Sequence, residues 1–184
     1  MKDISLHILD IAQNSVTAGA KRIDLTLEEE GGRVVLTVAD DGCGMSPELL
    51  AHACDPFTTT RTTRKMGLGI PLLRMSAEQT GGSFSIESTQ NVGTRTQAVF
   101  HSGHIDCPPL GDLADTVALL VQGAPQLRCV YTRRREGRGF TMDTQQLREQ
   151  LGEGISLAEP EIVLWLREYL QEQEQALREA GQSR

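Results

Sequence analysis

The chain has 184 residues and a formal net charge of -7, from 18 Lys and Arg against 25 Asp and Glu. Both halves are acidic, with 9 basic and 12 acidic side chains up to residue 100 and 9 basic and 13 acidic after it. Neither half has the net positive charge that nucleic-acid binding usually needs, and no apolar run approaches the roughly 20 residues that span a bilayer. Because the N-terminus also lacks a secretory signal, we expect a cytoplasmic protein that contacts no membrane.

Apolar periodicity predicts, in chain order, a helix, two strands, a short helix, a helix and two strands in the first hundred residues. These segments are 4–18, 22–29, 33–40, 47–53, 69–80, 83–88 and 93–100. The paired glycines at 31 and 32 predict a tight turn between the first two strands. This order is typical of an antiparallel-rich sheet covered by helices on one face, which is an α/β (α+β) two-layer sandwich.

The segment 102–110 breaks this pattern with Gly and a Pro pair, and it predicts a linker. The linker would separate a first domain, residues 1–101, from a small α+β extension, residues 111–184. In the extension we expect helices at 113–121, at 144–151 and from 161 onward, and strands at 127–133 and 139–143. The last helix has an apolar side only in its first half, so its second half is expected to project into solvent or to meet a partner helix.

A cluster of arginines surrounds the turn between the two strands of the extension. Its members are Arg133, Arg134, Arg135 and Arg138. Such a cluster can dock an acidic partner or a phosphate, but exposed turns are usually polar. We therefore interpret it as a solvated surface.

On the first helix, Asp10 and Asn14 are four residues apart, so their side chains share one face. A carboxylate and an amide together can hold a metal ion and a water molecule, although a solvated polar stripe gives the same pattern. His7 lies one turn before Asp10. A packing role for His7 is the commoner one, and a role as phospho-acceptor or proton shuttle stays open.

The loop after the second strand reads Asp40-Asp41-Gly42-Cys43-Gly44-Met45. Gly42 and Gly44 allow the backbone to turn tightly and to approach a flat ligand, while the Asp40 carboxylate can accept a hydrogen bond from an exocyclic amine. Thr94 follows Gly93 at the start of the strand at 93–100, where its hydroxyl can reach a base directly or through water.

A second pair of glycines, in Gly67-Leu68-Gly69, begins the helix at 69–80. Three cations precede it: Arg61, Arg64 and Lys65. Backbone N–H groups at a helix N-terminus with cations nearby form a cradle for phosphate, so this segment predicts a phosphate contact.

In this order and spacing, the four elements resemble the ATP-binding domain of the GHKL or Bergerat superfamily, which includes gyrase, heat-shock chaperones, bacterial histidine kinases and MutL. The resemblance covers residues 1 to about 100, and it implies a Bergerat fold, ATP as ligand and Mg²⁺ as cofactor. It implies nucleotide contacts at Asn14, Asp40, Gly42, Gly44, Met45, Phe57, Arg64, Lys65, Gly67, Leu68, Gly69 and Thr94. Asn14 matches the asparagine that binds Mg²⁺, Asp10 the acidic residue that orients the attacking water, and Asp40 the aspartate that reads adenine.

The resemblance is mixed. NSVTAGAKRIDLTLEEEGG is similar to MutL, whereas DPFTTTR, with Phe57, and KMGLGIPLLR are similar to a histidine kinase lid. Lys65 stands where many kinases have a further Gly, and it either places a cation on the triphosphate or shortens the cradle. Only a few residues precede the first helix, so we expect no phospho-accepting hairpin and no self-phosphorylating sensor kinase. IDCPPLGDLADT also resembles short stand-alone ATP-binding proteins often encoded with iron hydrogenase subunits, which implies a regulatory role.

We therefore interpret the chain as a Mg-ATP-binding protein that acts on a partner protein as a regulatory kinase or an ATPase, with Asp10 and Asn14 as catalytic residues. One alternative is a non-catalytic switch, in which ATP orders the lid at 58–66. Another is a DNA repair ATPase, which the acidic charge and the missing transducer-sized domain disfavour. The phospho-acceptor and the choice between monomer and homodimer stay open.

Overall fold

The structure is a computed structural model that describes residues 3–55, 68–152 and 154–180. In chain order its elements are α1 (Ile4–Thr17), β1 (Arg22–Glu30), β2 (Arg33–Asp40), α2 (Pro47–His52), α3 (Gly69–Gln79), β3 (Ser83–Thr89), β4 (Gly93–His101), α4 (Leu113–Gly123), β5 (Arg128–Arg135), β6 (Arg138–Asp143), α5 (Thr144–Leu151) and α6 (Pro160–Ala180). Every helix and strand expected from periodicity is present, and the bounds differ from expectation by at most two residues.

Short polar side chains fix where several helices begin. Asp3 caps α1 by accepting a hydrogen bond from the Leu6 amide, and Ser46 caps α2 by accepting one from the Leu49 amide. Asp112 does the same for α4, where its carboxylate lies 2.8 Å from the Asp115 nitrogen. A side-chain acceptor at this position satisfies an amide that has no partner within the helix, which is why these residues define the boundaries.

Within the described residues, six strands form one sheet in the order β3-β4-β2-β1-β5-β6. Neighbouring strands are antiparallel except β1 and β5, which pair in parallel from Arg22 and Arg128 onward. The extension therefore continues the sheet of the first hundred residues. Whether residues 1–101 and 111–184 fold as separate units stays a prediction.

The expected linker at 102–110 is attached to the start of α1. The Ile4 and Ser5 amides donate to the carbonyl oxygens of Pro109 and Leu110, each at 2.9 Å. These bonds satisfy amides of the first helical turn, so the linker contributes to the capping of α1.

Alternate residues of the strands face a layer of helices and form the core. Examples are Ile23, Leu25, Leu27, Val34, Leu36, Val38, Phe100 and Tyr131, each at most 3% exposed. Helix α1 contacts β1 and β2, α3 contacts β3 and β4, and α4 packs between α1 and α6. The expected α/β two-layer class is confirmed. Among the helices of the described residues, none has both the length and the apolar character that crossing a membrane would need.

The extension departs from expectation at two buried residues. In the second half of α6, which is otherwise mostly exposed as expected, Glu174 packs on the body of the protein and is only 5% exposed. Arg133 is not a solvated turn residue, because it is 1% exposed and forms ion pairs with Glu174 and Glu29. A guanidinium can be buried when carboxylates neutralise it, and here one carboxylate comes from α6 and the other from β1.

Candidate functional site

The helix-covered face of the sheet changes from apolar to polar at the end of β2. Asp40 follows Leu36 and Val38 in the alternation of β2, so it lies on the core face, where it is half-buried. In the register of the sheet Asp40 is opposite Thr94 of β4, and Thr94 is opposite Ser88 of β3. A row of three oxygen-bearing side chains therefore crosses the end of the sheet.

Both oxygens of the Asp40 carboxylate accept a hydrogen bond. Ser15 of α1 donates its hydroxyl to Oδ2 at 2.6 Å, and the Gly42 amide donates to Oδ1 at 2.9 Å. Ser15 is only 2% exposed, so the first of these bonds is largely shielded from water. An ionised carboxylate can accept about four hydrogen bonds, so each oxygen keeps a lone pair for a ligand donor.

Gly42 and Gly44 place the following loop close to its surroundings. A Cβ at Gly42 would lie 2.8 Å from the Ala18 Cβ at the end of α1, and one at Gly44 would overlap the Thr89 carbonyl. Gly44 also has a φ of 61°, in the left-handed region that glycine adopts without strain. The glycine spacing noted in the sequence thus lets this loop pack against α1 on one side and against the end of β3 on the other.

Further hydrogen bonds fix the loop on the α1 side. The Cys43 amide donates to the Ala18 carbonyl at 3.0 Å, and Asp41 Oδ1 accepts from the Lys21 and Arg22 amides at 2.7 and 2.9 Å. Partial burial alone would raise the pKa of Asp41, but these amides outweigh it and hold the pKa below its ordinary value. Asp41 therefore supports the loop, while Asp40 faces the site.

On the other side of Asp40, Ser88 organises Thr94 and Met45. The Ser88 Oγ lies 2.8 Å from the Thr94 Oγ1, and it accepts a hydrogen bond from the Met45 amide at 2.8 Å. Met45 is 9% exposed. The structure thus brings Asp40, Gly42, Gly44, Met45 and Thr94 close together at one end of the sheet.

Asp10 and Asn14 are half-buried on α1, and Asp10 lies next to the first turn of α3. A Cβ at Gly69 would lie 3.1 Å from the Asp10 Cβ, so only a glycine fits this contact without displacing Asp10. The Leu68 side chain is 55% exposed, whereas His7, one turn before Asp10, is 2% exposed. The start of α3 therefore lies beside the Asp10 face of α1, as a shared site would require.

Five predicted residues lie outside the described part of the chain: Phe57, Arg61, Arg64, Lys65 and Gly67. The predicted lid at 58–66 also lies there. Their roles remain those that the resemblance implies.

Sequence reasoning missed Ser15 and Ser88 as members of the site. Both were visible as polar interruptions of an apolar pattern, Ser15 following Ile8 and Ile11 on α1, and Ser88 following Phe84 and Ile86 in the alternation of β3. Nothing in either segment shows which distant residue satisfies the hydroxyl, because the partners come from β2 and β4.

The described residues offer few metal ligands at this site. Within residues 3–55, 68–152 and 154–180, no three His, Cys, Asp or Glu side chains are grouped to bind one. Asp10 and Asn14 offer oxygen ligands, and Mg²⁺ usually combines one or two such ligands with water and substrate phosphates. The residues present therefore fit Mg²⁺ that arrives with a nucleotide.

Comparison with known families agrees with this geometry. The family model for the histidine kinase-, DNA gyrase B- and HSP90-like ATPases matches residues 2–104. The match spans more than half of the chain, and the chain therefore belongs to this family. It contains the GHKL ATP-binding domain that histidine kinases share with MutL-like ATPases, which confirms the resemblance seen in the sequence.

The curated relatives include both histidine kinases and MutL proteins. The chain is 31% identical to the sensor histidine kinase CitA of Klebsiella pneumoniae over 91 residues, which is 48% of this chain and 17% of CitA. It is also 31% identical to the DNA mismatch repair protein MutL of Rhizorhabdus wittichii over 116 residues, which is 62% of this chain and 15% of that MutL. The chain thus spans less than a fifth of either relative.

Among solved structures, the fold is similar to the crystal structure of the N-terminal domain of a DNA repair protein. The TM-score is 0.54 at 13% identity, and the match covers 78% of this chain and 52% of the other. Residues 2–104 cannot account for 78% of the chain, so the likeness includes part of the extension. The similarity to the stand-alone proteins encoded with iron hydrogenases stays a prediction.

Proposed function

We propose that this chain binds Mg-ATP between α1, the 41–45 loop and the start of α3, and that it acts on a partner protein as a regulatory kinase or an ATPase. The observation that carries the proposal is the Asp40 carboxylate, fixed by Ser15 and Gly42 at the polar end of the sheet. In a chain of this family, such an acceptor fits the exocyclic amine of adenine.

The remaining residues are proposed to have separate roles in a phosphoryl transfer. Gly67 and Gly69 donate backbone N–H groups to the phosphates, and Asn14 holds the Mg²⁺, which supplies charge neutralisation when it is bound. Asp10 aligns the acceptor, which is a partner's side chain in a kinase or water in an ATPase. Arg64 and Lys65 are proposed as cations beside the triphosphate.

The role of Asn14 is tested by the Asn14→Ala variant. We expect ATP affinity to depend on Mg²⁺ in the parent chain and to lose most of that dependence in the variant. Turnover should fall by roughly a hundredfold, because without Asn14 the chain would bind less well the Mg²⁺ that would neutralise charge on the phosphates. The measurement follows bound nucleotide and released phosphate from γ-labelled ATP, with Mg²⁺ and with EDTA. Gln13→Ala, an exposed neighbour on α1, is the control, and an unchanged Mg²⁺ dependence in Asn14→Ala would contradict the assignment.

Asp10→Asn separates an enzyme from a switch. For an enzyme, we expect turnover to fall by roughly 10²–10⁴-fold while ATP affinity changes little, because the variant keeps its shape but loses its basic group. Turnover and ATP binding are measured on the same preparation. If turnover is absent in both chains and ATP still changes the behaviour of a partner in both, the non-catalytic switch is the better description.

A DNA repair ATPase is the second candidate, because a MutL among the curated relatives favours it. The acidic charge of both halves argues against it. Retention of the chain on DNA that weakens steeply as salt rises would favour this candidate over a protein-directed enzyme.

A further inference from the structure

We propose that Ser15 is a positioning residue that makes the Asp40 carboxylate selective for a 6-amino purine over a 6-oxo purine. This inference rests on the proposed nucleotide-binding function. It assigns no direct ligand contact to Ser15. The serine acts through Asp40, which lies 25 positions later in the chain and on a different layer of the fold.

The hydrogen bond between the two residues has the geometry of a strong one. The Ser15 Oγ and Asp40 Oδ2 are 2.6 Å apart, which is the range of a hydroxyl donating to an ionised carboxylate. The same hydroxyl lies 3.4 Å from the Ile11 carbonyl, the acceptor that an ordinary helical serine uses. Because a hydroxyl has one proton and the carboxylate is both closer and charged, Asp40 is its acceptor.

Ser15 is almost inaccessible to water. It is 2% exposed and lies on the buried face of α1 with Ile11 and Ala12. A hydroxyl buried without a partner loses its hydrogen bonds to water and gains none in return, so the position favours an apolar residue unless the hydroxyl bonds to something. Packing alone therefore does not explain a serine here, whereas orientation of Asp40 does.

Orientation matters because the side chain of an aspartate turns easily about its last torsion. With Gly42 donating to Oδ1 and Ser15 donating to Oδ2, the carboxylate plane is fixed at both oxygens. The remaining lone pairs then point in set directions and offer only acceptors. A purine with a 6-amino group donates to them, while a 6-oxo group would place an acceptor against an acceptor.

Helix α1 provides a matched control in Ser5. Ser5 is also buried, at 3% exposure, and its hydroxyl also donates to a carboxylate, that of Asp3, at 2.7 Å. Asp3 caps the opposite end of α1 from Ser15. Ser5→Ala thus removes the same kind of bond from the same helix without reaching the candidate site.

The test compares the affinities of ATP and inosine triphosphate, whose purine carries a 6-oxo group, for the parent chain, Ser15→Ala and Ser5→Ala. We expect Ser15→Ala to weaken ATP about tenfold and inosine triphosphate hardly at all, because one charge-assisted hydrogen bond that aligns the acceptor is lost. The ratio of the affinity for ATP to the affinity for inosine triphosphate should then fall by the same factor. Ser5→Ala should leave the preference unchanged.

The outcomes separate this inference from the proposed function. Equal losses for both nucleotides in Ser15→Ala would mean a purely structural serine, and unchanged affinities for both would mean that Ser15 has no role, so either result overturns the inference alone. A parent chain that binds both nucleotides equally overturns it as well. A parent chain that binds neither nucleotide overturns the proposed function and this inference together.

Discussion

Replacing Asp40 by alanine is expected to weaken ATP binding by roughly ten- to a hundredfold while the chain still folds. The variant loses the acceptor that faces the exocyclic amine, and a hydrogen bond to a charged group contributes about 1.5–3 kcal/mol. The fold should persist because Asp40 is half-buried at the end of β2, outside the apolar part of the core. Calorimetric titration with ATP and a circular dichroism spectrum of the variant check both parts.

Asp41→Ala is the control for disturbance of the loop. Asp41 is the next residue, and its carboxylate also accepts two hydrogen bonds, from the Lys21 and Arg22 amides. Its removal loosens the same loop without removing the acceptor of the site, so ATP affinity should fall much less than in Asp40→Ala. Equal losses in the two variants would mean that the shape of the loop, and not recognition by Asp40, explains the effect.

Local structure was predictable because it depends on neighbours in the chain. The alternation in β1 and β2 identifies their buried residues, and the polar residues before α1, α2 and α4 mark where those helices begin. The position of Asp40 at the end of β2 follows from the same alternation. The amino-acid sequence by itself thus indicates a candidate acceptor on the covered face of the sheet.

Pairing between distant segments was not predictable in this way. Nothing in the sequence of β5 shows that it lies parallel to β1, about a hundred residues earlier, and a parallel pair leaves no turn signal. For the same reason the burial of Arg133 was missed. Its neighbours Arg134 and Arg138 follow the expected pattern of an exposed turn, and only the carboxylates of β1 and α6 explain why Arg133 differs.

The candidate site shows the same difference between features set by neighbours in the chain and features set by tertiary packing. Asp40, Gly42 and Thr94 could be named because each belongs to a motif whose spacing is local. Ser15 and Ser88 could not, because each hydroxyl bonds to a residue on another element. Support for a site is assembled by tertiary packing, so sequence motifs identify the groups that face a ligand better than the groups that orient them.

Breaking the buried ion pair between Arg133 and Glu174 is expected to have a large effect on the stability of the fold. Arg133 Nε donates to Glu174 at 3.2 Å, and the Tyr131 hydroxyl donates to the same carboxylate at 3.0 Å. Burial raises the pKa of Tyr131 well above its ordinary value, and the nearby Glu174 carboxylate adds to this rise, so the tyrosine stays a neutral donor. These bonds attach α6 to β5, and Glu29 of β1 holds the other side of the guanidinium.

Glu174→Ala is expected to lower the free energy of unfolding by about 3 kcal/mol, because removing one partner leaves a buried charge poorly compensated. Glu29 remains as a partner of Arg133, which places the effect at the lower end of the usual range for buried pairs. Urea unfolding followed by circular dichroism measures the change.

A neighbouring exposed ion pair, between β5 and β1, is the control. Arg134 and Glu28 are 2.8 Å apart but lie at the surface, with side chains 64% and 37% exposed. Arg134→Ala should therefore change the free energy of unfolding by less than about 1 kcal/mol. Replacing both buried partners, as Arg133→Met with Glu174→Leu, should recover much of the loss, because apolar side chains of similar size carry no charge into the core. If Glu174→Ala and Arg134→Ala proved equally mild, α6 would be held by its apolar residues alone, and the arginine on β5 would have no part in anchoring it.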